Sequence, residues 1–127
     1  MQVHLARPDI TQAEVDAVNE VIQSPILALG PWAMRFEKAI ADYVGAKHAI
    51  AVNSGTSGLH LLVRAFGIGE GDEVITTPFS FIASSNCIVY ERARPVFVDI
   101  EIGTANIDPS LIEDAITPRT KAILPVD

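Results

Sequence analysis

Residues 69–99 read GEGDEVITTPFSFIASSNCIVYERARPVFVD, and the order of textures within them decides the fold. Gly69–Asp72 has the composition of a turn, and Glu73–Thr76 is a short apolar run suited to a buried strand. Ser80–Tyr90 has the length of a helix, and Pro95–Asp99 (PVFVD) is a second strand-like run. Strand, helix and strand in this order make a βαβ unit, whose crossover sets two strands side by side in parallel.

The pattern extends in both directions. Upstream, Ala49–Val52 (AIAV) reads as another strand, followed by a helix over Gly55–Phe66 with Leu59, Leu62, Val63 and Phe66 at helical spacing. Downstream, Asp108 and Pro109 serve as cap and first residue of a short helix through Ile116, and Lys121–Val126 (KAILPV) is a further strand. Nearer the start, Thr11–Gln23 is a helix opened by a capping box of Thr11 and Glu14, with Val15, Val18, Val21 and Ile22 on one face and Pro25 as its stop. Ile26–Pro31 (ILALGP) reads as a loop that could lie over a site. A second helix spans Pro31–Val44, with Phe36, Ile40, Tyr43 and Val44 expected inward and Gly45 ending it. The predicted class is α/β: a mostly parallel sheet with helices on both faces.

Composition narrows the function classes. Hydrophobic residues make up 49% and charged residues 20%, so a packed core is expected rather than disorder. The net charge of -7, with Arg92 and Arg94 the nearest thing to a basic run, disfavours a nucleic-acid partner, which needs a cationic face. Cys87 is the single cysteine and cannot form an internal disulfide. No apolar run approaches a membrane span and no leader pattern opens the sequence, so a soluble, cytoplasmic protein without a membrane partner is expected. His4 and His48 share no metal-ligand spacing, so no metal is expected.

Ligands of open parallel sheets gather outside the carboxyl ends of the strands. The strand exits here are polar: Asn53-Ser54, Thr76-Thr77, Asp99 and Asp127. Such residues can also simply mark where strands leave the core. The sharpest signal is Asn53-Ser54-Gly55-Thr56-Ser57-Gly58-Leu59-His60, where a strand-like run passes directly into a helix. The first turn of a helix carries free amides and the positive end of its dipole, which suits a phosphate. Gly55 and Gly58 allow close approach, and Ser54, Thr56 and Ser57 add hydroxyls. The segment is neither a P-loop nor a dinucleotide fingerprint, and from these residues alone an ordinary capped helix start is an equal reading.

Five blocks occur in one order: LGPWAMRFEKAIADYVGAKHAIAV, NSGTSGLHLL, GEGDEVITTPFSFIASSN, RPVFVDI and NIDPSLIEDAITPRTKAILPVD. Together they resemble the DegT/DnrJ/EryC1/StrS family, sugar aminotransferases of fold type I that use pyridoxal 5'-phosphate, and the resemblance runs along essentially the whole chain. It implies that Gly55, Thr56 and Ser57 bind the cofactor phosphate, with the amides of Thr56 and Ser57 foremost, and that Phe81 stacks on the pyridine ring. It implies, less directly, that the loop Ile26–Gly30 contacts substrate. It also implies transfer of an amino group from an amino acid, with glutamate expected, to a keto nucleotide-sugar, and a homodimer.

By the same resemblance, residues 1–45 are an N-terminal helical segment and residues 46–127 the βαβ units of a large domain whose remainder lies beyond residue 127. The lysine that binds the cofactor covalently, the aspartate facing the ring nitrogen and a second phosphate-binding serine are expected there. Lys38, Lys47 and Lys121 match none of these positions, so no catalytic residue is assigned and the 127 residues alone are expected to be inactive. Asp127 stands where the family commonly has histidine. A sugar dehydratase of the family, with histidine in place of the covalent lysine, and a regulatory ligand-binding protein on the same fold remain alternatives. Asp99 is expected to be structural or to line the site, His60 to be packed or hydrogen-bonded, Cys87 to be a small core residue, and Glu113 and Asp114 to be solvated.

Overall fold

The computed structural model describes residues 6–28 and 30–126. His4, Leu29 of the 26–30 loop and Asp127 lie outside them. The chain divides into two compact units, Met1–Ala51 and Val52–Asp127.

The first unit holds α1 (Gln12–Ile22) and α2 (Pro31–Val44). The capping box at α1 is formed: the Thr11 side chain accepts the Ala13 amide, and the Thr11 amide donates to Glu14 Oε2 at 2.6 Å. Pro31 opens α2, where its missing N–H costs nothing. Gly30 precedes it because a Cβ there would sit 3.1 Å from both the Ile26 side chain and its carbonyl oxygen. Gly45 ends α2 at φ 69°, the left-handed cap that glycine adopts without penalty. The expectation that Phe36, Ile40, Tyr43 and Val44 point into a core is corrected: all four are exposed, Tyr43 at 89%, and Ala41 is the buried residue of α2. An amphipathic stripe is buried only where a second layer faces it, and the described residues of this unit supply none.

The predicted strand Ala49–Val52 is also corrected. These residues are not in a strand, and Ile50 is 82% exposed. The Ala51 amide donates to Glu37 Oε1 at 2.9 Å, a side-chain bond in place of a ladder.

In the second unit, α3 (Gly55–Ala65), β1 (Glu73–Thr76), α4 (Ala83–Tyr90), β2 (Arg94–Phe97) and β3 (Thr120–Leu124) follow in order. The sheet order is β2-β1-β3, all parallel. Glu73 pairs with Arg94 and Thr76 with Phe97; on the other side Glu73 pairs with Thr120 and, past an irregularity, Val74 with Ala122. Alternation along β1 divides the core. Val74 joins Val63, Ile68, Cys87, Ile88 and Ala93 under α3 and α4, while Ile75 joins Val98 and Ile107 on the opposite face. Cys87 is fully buried, as a small core residue should be.

Both helices are shorter than predicted or differ in kind at their edges. The predicted helix start at Ser80 moves to Ala83, because Thr77–Ile82 forms a turn in which Thr77 Oγ1 accepts the Phe79 amide and Ser80 bonds Ser84 at 2.8 Å. The short helix from Asp108 to Ile116 resolves into two 3-10 turns, Pro109–Leu111 and Glu113–Ala115, capped by Asp108 accepting the Ser110 amide. Ile112 and Ala115 from these turns cover the second face of the sheet. Glu113 and Asp114 are exposed.

Helices α3 and α4 end alike. The Gly67 amide reaches the Arg64 carbonyl and Ile68 reaches Val63; the Arg92 amide reaches Val89 and Ala93 reaches Ile88. The left-handed residue of this paired C-terminal motif is Gly67 at φ 68° in one and Arg92 at φ 61° in the other.

Candidate cofactor site

Helix α3 leads through Gly67–Asp72 into the entrance of β1, so it runs antiparallel to the sheet and its first residues lie at the carboxyl edge. The segment 77–82 leaves the exit of β1 at that same edge before entering α4. The fold therefore brings the Ser54–Ser57 start of α3 and the Phe81 segment to the side of the sheet where ligands of parallel sheets collect. Asn53-Ser54 and Thr76-Thr77 lie on it, as read from the sequence.

Ser54 is the N-cap, extended at φ -161°, and its Oγ accepts the Ser57 amide at 3.2 Å. Ser57 Oγ donates to Asn53 Oδ1 at 2.7 Å, which ties the hydroxyl back to the segment that leads into α3. The first helical bond runs from the Gly58 amide to the Ser54 carbonyl. The amides of Gly55 and Thr56 thus have no helical acceptor. The Ser57 amide, foremost in the sequence reading together with that of Thr56, is engaged by the cap, so Gly55 and Thr56 are the better donors. A Cβ built at Gly55 meets no atom within 4 Å, so the space beside that Cα is open; at Gly58 it would meet Val52 Cγ2 at 3.5 Å, an ordinary contact. Of the two glycines, Gly55 is thus the more open. Two free amides, adjoining hydroxyls and open space at a positive helix end fit a phosphate group.

Phe81 is 75% exposed and packed into no core, so its ring is available to a flat partner. Thr77 is buried, and Thr76 Oγ1 donates to the Leu124 carbonyl at 2.9 Å, fixing the exit of β1 against β3. Asp99 acts structurally: its Oδ1 accepts the Ile100 amide and its carbonyl accepts Asp108. Lys38 is paired with Asp42 on the outside of α2 at 2.9 Å, and Lys121 is exposed near the entrance of β3. Gly30 and the rest of the 26–30 loop belong to the first unit.

Two polar clusters escaped the sequence reading. Glu73, 2% exposed at the entrance of β1, accepts Thr117 Oγ1 at 2.6 Å on one oxygen and Arg119 Nη2 at 2.7 Å on the other, with Arg94 at 3.4 Å. The Thr117 hydroxyl, then Arg119, holds the Glu73 carboxyl below the ordinary carboxylate range. The second cluster joins α3 to α4. His60 Nε2 lies 2.7 Å and Arg64 Nη1 3.2 Å from the same Glu91 oxygen, and the His60 ring meets Tyr90 edge-on at 5.3 Å. The hydrogen bond with His60 and the charge of Arg64 keep the Glu91 carboxyl below its ordinary range. His60 is thus hydrogen-bonded and packed, as expected, but Glu91 carried no signal because its partners lie 31 and 27 positions away.

Comparison with known proteins agrees with this architecture. The model of the DegT/DnrJ/EryC1/StrS aminotransferase family matches residues 8–127. The chain is 51% identical over 119 residues to the spore coat polysaccharide biosynthesis protein SpsC of Bacillus subtilis, covering 94% of this chain and 31% of that protein. It is 48% identical over 126 residues to the GDP-perosamine synthase of Caulobacter vibrioides, covering 98% and 34%. Among solved structures, Spr1654 of Streptococcus pneumoniae in its PMP form superposes with a TM-score of 0.93 at 35% identity, covering 98% of this chain and 31% of that one. The chain spans about a third of the length of the curated relatives it matches. With the parallel sheet, the capped helix start and a family match over nearly its whole length, the chain belongs to the DegT/DnrJ/EryC1/StrS aminotransferase family.

Proposed function

We propose that this chain is the N-terminal part of the large domain of a pyridoxal 5'-phosphate-dependent aminotransferase. Residues 1–45 form its helical lead-in and residues 46–127 its first βαβ units. The whole protein moves an amino group from an amino acid, glutamate in our reading, to a keto nucleotide-sugar, and works as a cytoplasmic homodimer. The observation that carries the reading is the start of α3, where two amides have no helical acceptor and the space beside Gly55 is open. Family membership and the GDP-perosamine synthase relative support the substrate class.

In this reading, Gly55 and Thr56 hold the cofactor phosphate through backbone amides, the Thr56 hydroxyl adjoins it, and Ser57, bonded to Asn53 and Ser54, keeps the turn in shape for it. Phe81 covers one face of the ring and excludes water from it. The cofactor, when bound, supplies the electron sink that amino transfer requires. This chain's residues therefore bind and orient, and the proton-handling groups belong to the rest of the protein.

Titrating the full-length protein with pyridoxal phosphate tests the reading. A visible absorption band should form, and glutamate should bleach it. A protein that stays colourless at saturating cofactor would falsify the proposal. Residues 1–127 alone are expected to turn over no substrate.

A further inference from the structure

Resting on that reading, we propose that Glu91 is a positioning residue: it sets the register of α3 against α4, and so the spacing between the phosphate amides and Phe81. His60 and Arg64 are one turn apart on α3, and both reach the same oxygen of Glu91, at 2.7 and 3.2 Å. Two points on one helix tied to one atom resist both sliding and rotation. Glu91 is itself the C-cap of α4, with its side chain 16% exposed, and its neighbour Tyr90 braces the His60 ring.

The clamp acts at short range on the anion end. His60 lies three residues beyond Ser57, about 4.5 Å along a helix axis. A helix moves as a rigid rod over that distance, so a slip at His60 arrives undiminished at the Gly55 and Thr56 amides. At its other end α4 is entered from the segment that carries Phe81. The cofactor holds its phosphate and its ring at a fixed separation, so two helix starts that serve those two groups must keep a fixed separation too. Apolar packing of Val63 against Cys87 and Ile88 draws the helices together but tolerates small slides. The directional bonds to Glu91 are the element that selects one register.

The test compares full-length wild type with Glu91→Gln, Glu91→Ala and a control, Thr117→Val, which removes a hydrogen bond at the far edge of the sheet. Three quantities are read: the Kd for pyridoxal phosphate, the induced circular dichroism of the bound cofactor, and the Tm without cofactor. Glu91→Gln, which keeps the shape, should raise the Kd about tenfold, the loss of one charged hydrogen bond, and should change the dichroism of the bound ring. Thr117→Val should lower the Tm yet leave Kd and dichroism within about twofold of wild type, given its distance from the site. A Kd and dichroism unchanged in both Glu91 variants overturn the role, as does a Thr117→Val effect on Kd equal to that of Glu91→Gln. Wild type that binds no pyridoxal phosphate removes the functional reading itself, and the role with it.

Discussion

Arg119 grips a single oxygen of Glu73 through two nitrogens, Nε at 3.0 Å and Nη2 at 2.7 Å, across 46 positions of sequence. The contact joins the entrance of β1 to the turn that opens β3, where the Glu73 amide also donates to the Arg119 carbonyl at 2.9 Å. A carboxylate so enclosed is tolerable because each of its oxygens is bonded.

Acid should therefore weaken this fold in a defined window. The Glu73 and Glu91 carboxyls are held below their ordinary values, chiefly by the Thr117 hydroxyl and by His60 respectively. The unfolded chain takes up these protons more readily than the folded one. The stabilisation is complete above the ordinary value near 4.3 and fades as pH falls through the lower folded values. Thr117→Val should lower the Tm at pH 7 by about 4 °C or more and flatten the fall below about pH 4.3. Calorimetry across pH 2 to 7, as an order-of-magnitude span around that window, decides it; an identical acid limb in the variant would remove the argument.

Gly55 and Thr56 separate binding from folding. Gly55→Ala places a methyl group in open space and should leave the Tm unchanged or slightly raised, since alanine favours helix. Thr56→Pro deletes one amide donor in the first turn, where proline is tolerated. Both should weaken pyridoxal phosphate binding by about tenfold or more. Far-ultraviolet dichroism alongside a cofactor titration reads both properties; retained affinity in both variants would place the phosphate elsewhere.

Phe81→Leu should cost affinity without costing stability. The side chain is 75% exposed, so little packing is lost. The loss of ring stacking should weaken cofactor binding by roughly threefold to tenfold. A drop in Tm with unchanged Kd would make Phe81 a packing residue instead.

Arg92→Gly offers an internal comparison. Arg92 holds the left-handed position that Gly67 occupies at the end of α3. A side chain there costs about 1–2 kcal/mol that glycine avoids. The paired ion Glu70 lies 4.0 Å away and both side chains are exposed, so little is lost with it. Urea denaturation should show the variant more stable by about 1 kcal/mol; a less stable variant would mean that Arg92 has a further partner.

In the isolated 127-residue chain, amides at 50 and 52 should exchange within seconds, on the order expected of unladdered backbone, while those of Val74–Thr76 are protected. Residue-resolved exchange by NMR measures it. Slow exchange at 50 and 52 would show that this segment has found a strand partner.

The alternation of strands and helices from Gly55 onward was legible because each segment finds its neighbours within the chain. Ala49–Val52 was legible as an apolar run, but whether it pairs stayed open from the residues, since a strand exists only where a ladder partner stands beside it. The same reason undoes Phe36 and Tyr43, whose stripe on α2 is real and finds no covering layer among the described residues of their unit. At the site, the Ser54 cap was readable from residue types alone, but its capture of the Ser57 amide depends on a rotamer that no spacing reveals. Glu73 looked like any charged residue entering a strand. Its partners Thr117 and Arg119 are 44 and 46 positions distant, and nothing local announces them.

The location of that carboxylate cluster has an evolutionary corollary. The buried carboxylate anchors the sheet where its strands begin, and the Thr76 hydroxyl bonded to Leu124 closes the other end. The exposed segment around Phe81, beyond the exit of β1, is therefore freer to vary in sequence than the strands that lead to it.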